Sequence, residues 1–146
     1  MAAKKISDLS AKTALTGTEL FEVATAGVAS EKVEVRVLRG QRVTALTSSA
    51  GVVTIDLSLG KYFTLALTEN VTSVLFTNLP GSGFADTIML RITQGATART
   101  LAWPASFRWE GSAPSVSTAS GAVDVLALTT FDNGTKWDAT LSKGRV

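Results

Sequence analysis

The sequence predicts an all-β protein: an antiparallel β-sandwich or jelly-roll-like domain that follows an extended N-terminal arm. From residue 51 onward, apolar and polar residues alternate in short runs, as in strands with one buried face. The 146 residues include 20 Thr and 14 Ser, a composition that favours strands and turns over long helices. The segment DNGT at 132–135 separates two such runs, and Asn-Gly is typical of tight hairpin turns.

The alternating runs identify the expected core faces. They comprise Val53 and Ile55, then Phe63, Leu65 and Leu67, then Ile88, Leu90 and Ile92. Residues 123–130 and 136–141 flank the DNGT segment, so we expect them to pair as a hairpin. About seven short strands at this spacing are typical of a sandwich or jelly roll. Because no helical pattern lies between them, we do not expect a parallel α/β sheet.

The distribution of charge divides the chain into two parts. Residues 1–45 hold seven basic and five acidic residues, whereas residues 46–146 hold seven of each. We expect 1–45 to be an arm for attachment or subunit exchange, and 46–146 to be the β-sandwich domain. Val33, Val35 and Val37 alternate with charges, a pattern that predicts a strand able to add to a neighbour's sheet edge. The expected contact residues of the arm are Ile6, Leu9, Leu15, Leu20, Phe21, Val33, Val35 and Val37.

The composition excludes several kinds of chemistry. The chain has no cysteine and no histidine, which rules out disulfides, cysteine nucleophiles and thiolate or imidazole metal sites. We expect no catalytic, cofactor-binding or metal-binding residues. Residues 46–146 carry no net charge and no basic cluster, so we do not expect nucleic-acid binding. We also expect neither a secretion signal nor a membrane span.

A glycosidase is the enzyme class that this sequence leaves open, because paired carboxylates alone can hydrolyse a glycoside. The acids available in the C-terminal half are Asp86, Asp124, Asp132 and Asp138. Asp132 lies in the expected hairpin turn, and Asp124 and Asp138 fall at polar strand positions. Solvation explains those positions more simply than a catalytic pair, and we therefore expect a non-enzyme.

Three large aromatic rings and a guanidinium occur within residues 103–109. In one interpretation, Trp103 and Phe107 close an end of the sandwich while Trp109 lies at a surface or interface. In the other, Trp103, Phe107 and Trp109 form a sugar-stacking platform, or a cation–π contact with Arg108. Both interpretations are compatible with the sequence.

Several segments resemble parts of known bacteriophage proteins. Residues 5–9 (KISDL) and 13–23 (TALTGTELFEV) are similar to the N-terminal segment of many tail-fibre and other accessory virion proteins of tailed bacteriophages. Residues 63–74, 100–106, 121–126 and 133–137 resemble a β-rich module of the same proteins. The chain differs from a full fibre in having no shaft, repeat or large receptor-binding tip.

The resemblance implies a non-enzymatic virion component, commonly a homotrimer, that contacts other capsid or tail proteins. It implies assembly in the bacterial host cytoplasm and a place on the particle surface. The short chain favours a capsid decoration (cement) protein, or a short tail fibre or adaptor. The alternative is a carbohydrate- or host-receptor-binding module of a tail fibre, with a host surface glycan as its partner.

Overall fold

The computed structural model describes residues 20–23, 31–34 and 42–145. The chain divides into two compact units, Met1–Gly40 and Gln41–Val146. In the first unit, β1 (Leu20–Val23) pairs antiparallel with β2 (Glu31–Glu34), and Phe21 is opposite Val33 in the register. Among the residues expected to form contacts in the arm, Ile6, Leu9, Leu15, Val35 and Val37 lie outside the described residues.

The second unit is built almost entirely of β-strands, which confirms the all-β class. In the described part of the chain, a single 3₁₀ turn, Leu57–Leu59, is the only helical element. Its strands are β3 (Val43–Leu46), β4 (Val52–Asp56), β5 (Tyr62–Leu67), β6 (Ser73–Thr77), β7 (Asp86–Gln94), β8 (Phe107–Trp109), β9 (Val123–Thr130) and β10 (Trp137–Arg145). The predicted boundary between residues 45 and 46 falls inside β3. Within these described ranges, no helix has both the length and the apolar character required to cross a membrane.

Two sheets form the second unit. An antiparallel domain was predicted, but the sheets contain parallel as well as antiparallel strand pairs. The larger sheet has the order β3-β5-β7-β9-β10-β8, and the smaller one contains β4 and β6. The pairs β3–β5, β5–β7, β4–β6 and β8–β10 are parallel, whereas β9 is antiparallel to both of its neighbours. The expectation of an antiparallel domain is therefore wrong for these four pairs and holds for the pairs of β9 with β7 and β10.

Three of the four parallel pairs, β3–β5, β5–β7 and β4–β6, arise because the chain alternates between the two sheets. After β3 it enters the smaller sheet as β4, returns as β5, crosses again as β6 and returns as β7. Parallel neighbours require a long crossover connection, which in many proteins is a helix. Here a strand of the opposite sheet supplies that connection, so parallel pairing occurs without any helical pattern in the sequence.

Both sheets contribute to one hydrophobic core. Val53 and Ile55 of β4 and Val74 of β6 belong to the same buried cluster as the inner residues of the larger sheet. The predicted core faces are confirmed, since Phe63, Leu65, Leu67, Ile88, Leu90 and Ile92 are all buried. Leu126, Leu128 and Trp137 extend that cluster across β9 and β10. Along β5, β7 and β9, buried positions alternate with more accessible ones, as the sequence pattern predicts.

The predicted hairpin is also present. β9 and β10 pair antiparallel, and the connecting turn holds Asn133 and Gly134 at φ values of 59° and 77°. Such positive φ angles are readily adopted by Asn and Gly, which is why this pair marks the turn in the sequence. Thr130, fully buried beside the turn, accepts a hydrogen bond from Gly134 N at 2.9 Å and donates one to Asp132 Oδ1 at 3.0 Å.

Candidate functional site

The aromatic segment at 103–109 lies at one edge of the larger sheet. Phe107 and Trp109 belong to the edge strand β8, which pairs parallel with the start of β10. Phe107 is buried, while Trp103 and Trp109 are half-buried against the core. The ring centroids of Trp103 and Trp109 are 5.2 Å apart, and each lies 6.1 Å from that of Phe107. The structure thus brings all three predicted aromatic residues together.

Two further rings extend this group into the core. The centroid of Phe76 lies 6.0 Å from that of Phe107 and 4.8 Å from that of Trp137. Trp137 is fully buried, and its indole N–H has no hydrogen-bond partner among the described residues. We call the five rings Phe76, Trp103, Phe107, Trp109 and Trp137 the aromatic cluster. The aromatic cluster extends from the core to the sheet edge. The half-buried ring of Trp109 is therefore held in place by rings that are packed in the core.

Backbone contacts hold the aromatic segment in place. The indole N–H of Trp103 donates to the carbonyl of Pro114, and the N–H of Phe107 donates to the carbonyl of Pro104 at 3.0 Å. The backbone N–H of Trp137 donates to the carbonyl of Ser106, also at 3.0 Å. These bonds connect the segment to the chain that follows it and to the start of β10. The fold therefore determines the positions of Trp103 and Trp109.

A groove of about 380 Å³ opens beside Trp109. Most of its lining residues belong to the sheet face opposite the core, since they alternate along β9 and β10 with buried residues. Arg108 and Asp138 are register partners across β8 and β10, and Asp138 is in turn opposite Thr129 of β9. The full lining is Arg108, Trp109, Glu110, Ala127, Thr129, Asp138, Ala139 and Thr140.

The groove is lined mainly by polar side chains, because Trp109 is in register with the buried Ala139 and its ring packs on Trp103 and Phe107. Arg108, Glu110 and Asp138 are exposed, and they give the lining one positive and two negative formal charges. Ala127 leaves space between the polar side chains because it is small, whereas Ala139 is buried on the core side.

The sequence pattern placed Asp124 at a solvated strand position, and this expectation is wrong. Asp124 is 2% exposed and lies on the core side of β9. Its carboxylate accepts hydrogen bonds from Ser117 N at 2.6 Å, Ser117 Oγ at 2.7 Å and Gly144 N at 2.8 Å. Burial raises the pKa of Asp124, but these hydrogen bonds and the positive charge of Lys143 outweigh it and hold the pKa below the usual value.

The other three candidate acids also have separate surroundings. Asp86 forms an ion pair with Lys61, and Asp138 lies in the groove. Asp132 accepts hydrogen bonds from Lys136 N and Thr130 Oγ1, and these, with the nearby charge of Arg108, lower its pKa. In the ranges that the structure describes, no three acidic side chains gather where they could hold a metal ion.

The predicted contact residues of the arm are placed only in part. Leu20 and Phe21 belong to β1, and Val33 belongs to β2. Sequence reasoning missed Phe76 and Trp137 as members of the aromatic cluster, and Asp138, Thr129 and Thr140 as neighbours of Trp109. Trp137 follows the predicted hairpin turn directly, which was the one available signal. No family model matches the chain, and neither a curated protein nor a solved structure is similar to it.

Proposed function

We propose that the chain is a non-enzymatic structural component of a bacteriophage virion, a homotrimeric accessory protein on the particle surface. Its role is that of a capsid decoration (cement) protein, or of a short tail fibre or adaptor. The observation that carries this proposal is the resemblance of residues 5–9 and 13–23 to the N-terminal segment of such virion proteins. In this account the protein is assembled into the particle in the host cytoplasm.

In the proposed particle, the second unit is a β-sandwich-like body and the residues before β3 are an arm. Support for the body comes from the shared core, because Val53 and Val74 of the smaller sheet pack into the same cluster as Leu65 and Leu90 of the larger one. Support for the arm comes from the position of β3, which is an edge strand of the described sheet. An edge strand offers backbone groups that a strand from another subunit can pair with.

Exposed apolar side chains at one end of the larger sheet support a role in assembly. Phe84 and Phe131 are 67% and 73% exposed. They are close in the fold because Asp86 pairs with Thr130, two residues after Phe84 and one before Phe131. We call these two residues the end patch. Exposed apolar patches of this kind commonly mark contacts with other proteins, so the end patch is proposed as a second contact between subunits, in addition to the arm.

The proposal is tested on purified virions of the phage whose genome encodes the chain. Quantitative mass spectrometry is expected to find the protein in many copies per particle, and labelling with a specific antibody is expected to locate it on the head or tail. A protein that is synthesised in infected cells but missing from purified particles would contradict the proposal. A companion assay with particles lacking the protein is expected to show lower resistance to heat or low salt if it acts as cement.

A further inference from the structure

The face of the larger sheet that points away from the core, here called the outer face, carries few charges. None of the outward positions of β3, β5 and β9 is charged. On β9 these positions are the half-buried Val123, Val125, Ala127 and Thr129. A sheet with one solvated face normally alternates apolar residues inside with polar residues outside. Depletion of charge is instead typical of the centre of a protein interface.

Three apolar side chains form a continuous row across the outer face. In the register, Val43 of β3 is opposite Tyr62 of β5, and Tyr62 is opposite Met89 of β7. Val43 and Tyr62 are exposed, and Met89 is half-buried. Adjacent strands are about 4.8 Å apart, so the row is about 10 Å long. We call these three residues the apolar row. Tyr and Met are among the residue types that are enriched in protein interfaces.

The symmetry of a trimer restricts what the end patch can contact. A contact between two copies of the same patch closes at two subunits, whereas a ring of three joins two different patches on neighbouring subunits. The end patch, Phe84 and Phe131, therefore needs a different apolar surface on the next subunit. Among the described residues, the apolar row is the only other place where exposed large apolar side chains are paired across neighbouring strands.

Charges beside the two surfaces favour the same pairing. Arg91 lies beside the apolar row on the outer face, and Asp132 follows Phe131 directly. The only ion pair within the described ranges joins Lys61 to Asp86, so neither of the two charges belongs to one there. Two end patches in contact would bring Asp132 near its own copy, and two apolar rows would do the same for Arg91. Contact of the end patch with the apolar row brings opposite charges together, which is favourable at an interface.

We propose that the end patch of each subunit packs on the apolar row of the next subunit, with Asp132 paired to Arg91 across the contact. The contact is head-to-tail and closes into a ring of three chains. This inference rests on the homotrimer of the proposed function, to which it adds the surface that receives the end patch.

Cross-linking tests this contact directly, because the chain has no cysteine and every introduced thiol is therefore placed by design. Phe131→Cys and Tyr62→Cys are prepared as single variants, mixed so that subunits exchange, and oxidised. We expect covalent dimers from the mixture and none from either variant alone. Peptide mass spectrometry is expected to identify the disulfide between positions 62 and 131.

The double variant Phe131→Cys/Tyr62→Cys needs no exchange of subunits, and we expect it to form covalent trimers on a non-reducing gel. A disulfide within one chain is excluded, because β7 lies between β5 and β9 and two strand spacings exceed the reach of a disulfide. Leu75→Cys is the matched control, since Leu75 is exposed on β6 and lies outside both surfaces. Mixed with either single variant, it is expected to give no cross-link.

Three results would overturn the proposal. The first is efficient cross-linking of Phe131→Cys alone, which would show that two end patches meet. The second is efficient cross-linking of Tyr62→Cys alone, which would show that two apolar rows meet. The third is a double variant that sediments as a trimer but forms no disulfide between subunits. In all three cases the homotrimer itself stands. A wild-type chain that sediments as a monomer would instead contradict the homotrimer, and this contact with it.

Discussion

The phenyl ring of Phe76 is stacked on the indole ring of Trp137, with centroids 4.8 Å apart and planes inclined by 19°. Phe76 belongs to β6 of the smaller sheet, and Trp137 begins β10 of the larger sheet. The stack therefore joins the two sheets directly. Trp137 is fully buried and Phe76 is partly buried, so the inner side of this contact is shielded from water and its packing contributes to stability. Phe107 connects this stack to Trp109 at the sheet edge.

Replacing Phe76 by Ala is expected to destabilise the protein by about 3 kcal/mol, because it removes a large ring and leaves a cavity against Trp137. Urea denaturation followed by tryptophan fluorescence measures this loss. Phe84→Ala is the control, since Phe84 is 67% exposed, and it is expected to change the free energy of unfolding by no more than about 0.5 kcal/mol. Equal stabilities of the two variants would show that the stack does not contribute to the stability of the fold.

Asp124→Asn is expected to lower the free energy of unfolding by about 3 kcal/mol. The carboxylate accepts from Ser117 and Gly144, whereas an amide in its place would direct N–H groups at backbone donors. Chemical denaturation at neutral pH measures the effect. Asp138→Asn is the matched control, because Asp138 is exposed on the next strand and its replacement is expected to be nearly neutral. An Asp124→Asn variant as stable as the control would refute the assigned role.

Stability is also expected to fall in acid. The folded pKa of Asp124 is lower than its unfolded value of 3.8, because the hydrogen bonds and the charge of Lys143 favour the ionised form despite burial. Its contribution is therefore complete above the unfolded pKa and is lost as the pH falls through the folded pKa. Asp56 and Asp132 have pKa values lowered in the same direction. Urea denaturation midpoints are measured from pH 7 down to about pH 2. We expect the midpoint to decrease once the pH is below about 4, and to decrease less steeply in Asp124→Asn.

Gly95→Ala is expected to destabilise the turn after β7, because a Cβ there would lie 2.5 Å from the carbonyl oxygen of Leu67. The backbone has to shift to remove this overlap, at an expected cost of about 2 kcal/mol. Gly81→Ala is the matched control, since its Cβ would meet only the Phe84 ring at an ordinary 3.7 Å. Thermal unfolding compares the two variants. Similar melting temperatures would mean that the turn tolerates a side chain.

The double variant Phe84→Ser/Phe131→Ser tests the end patch. It is expected to raise the concentration at which the proposed trimer half-dissociates by at least about tenfold, because it removes apolar area from the contact. Analytical ultracentrifugation over a range of concentrations measures this change. Leu75→Ser is the control, since Leu75 is 50% exposed on β6 but lies outside the patch. A sedimentation profile unchanged by the double variant would exclude the patch as the subunit contact.

The sequence pattern predicted those parts of the fold that depend on residues close together in the sequence. The core faces of β5 and β7 follow from strict alternation, and the β9–β10 hairpin follows from Asn133 and Gly134. Parallel pairing was not predictable in this way. Whether β5 lies beside β3 or beside β4 depends on contacts between distant segments, and local periodicity is the same in either arrangement.

In the candidate site, too, the residues close together in the sequence were predicted and those brought together by strand pairing were not. Trp109 and Arg108 stood out because they are close in sequence, but Asp138 joins them only through the parallel pairing of β8 with β10. Asp124 was misjudged because a polar residue in an alternating strand is normally solvated. Its hydrogen-bond donors come from Ser117 and Gly144, which the alternation of β9 does not reveal.

The central claim of a trimer joined by its N-terminal residues is tested most directly by the solution mass from light scattering. The full chain is compared with a variant lacking residues 1–40, a deletion that leaves β3 and the whole buried cluster intact. We expect a mass near three times the 15.2 kDa of one chain, falling to a single chain after the deletion. A full chain that weighs 15.2 kDa at every concentration would contradict the account.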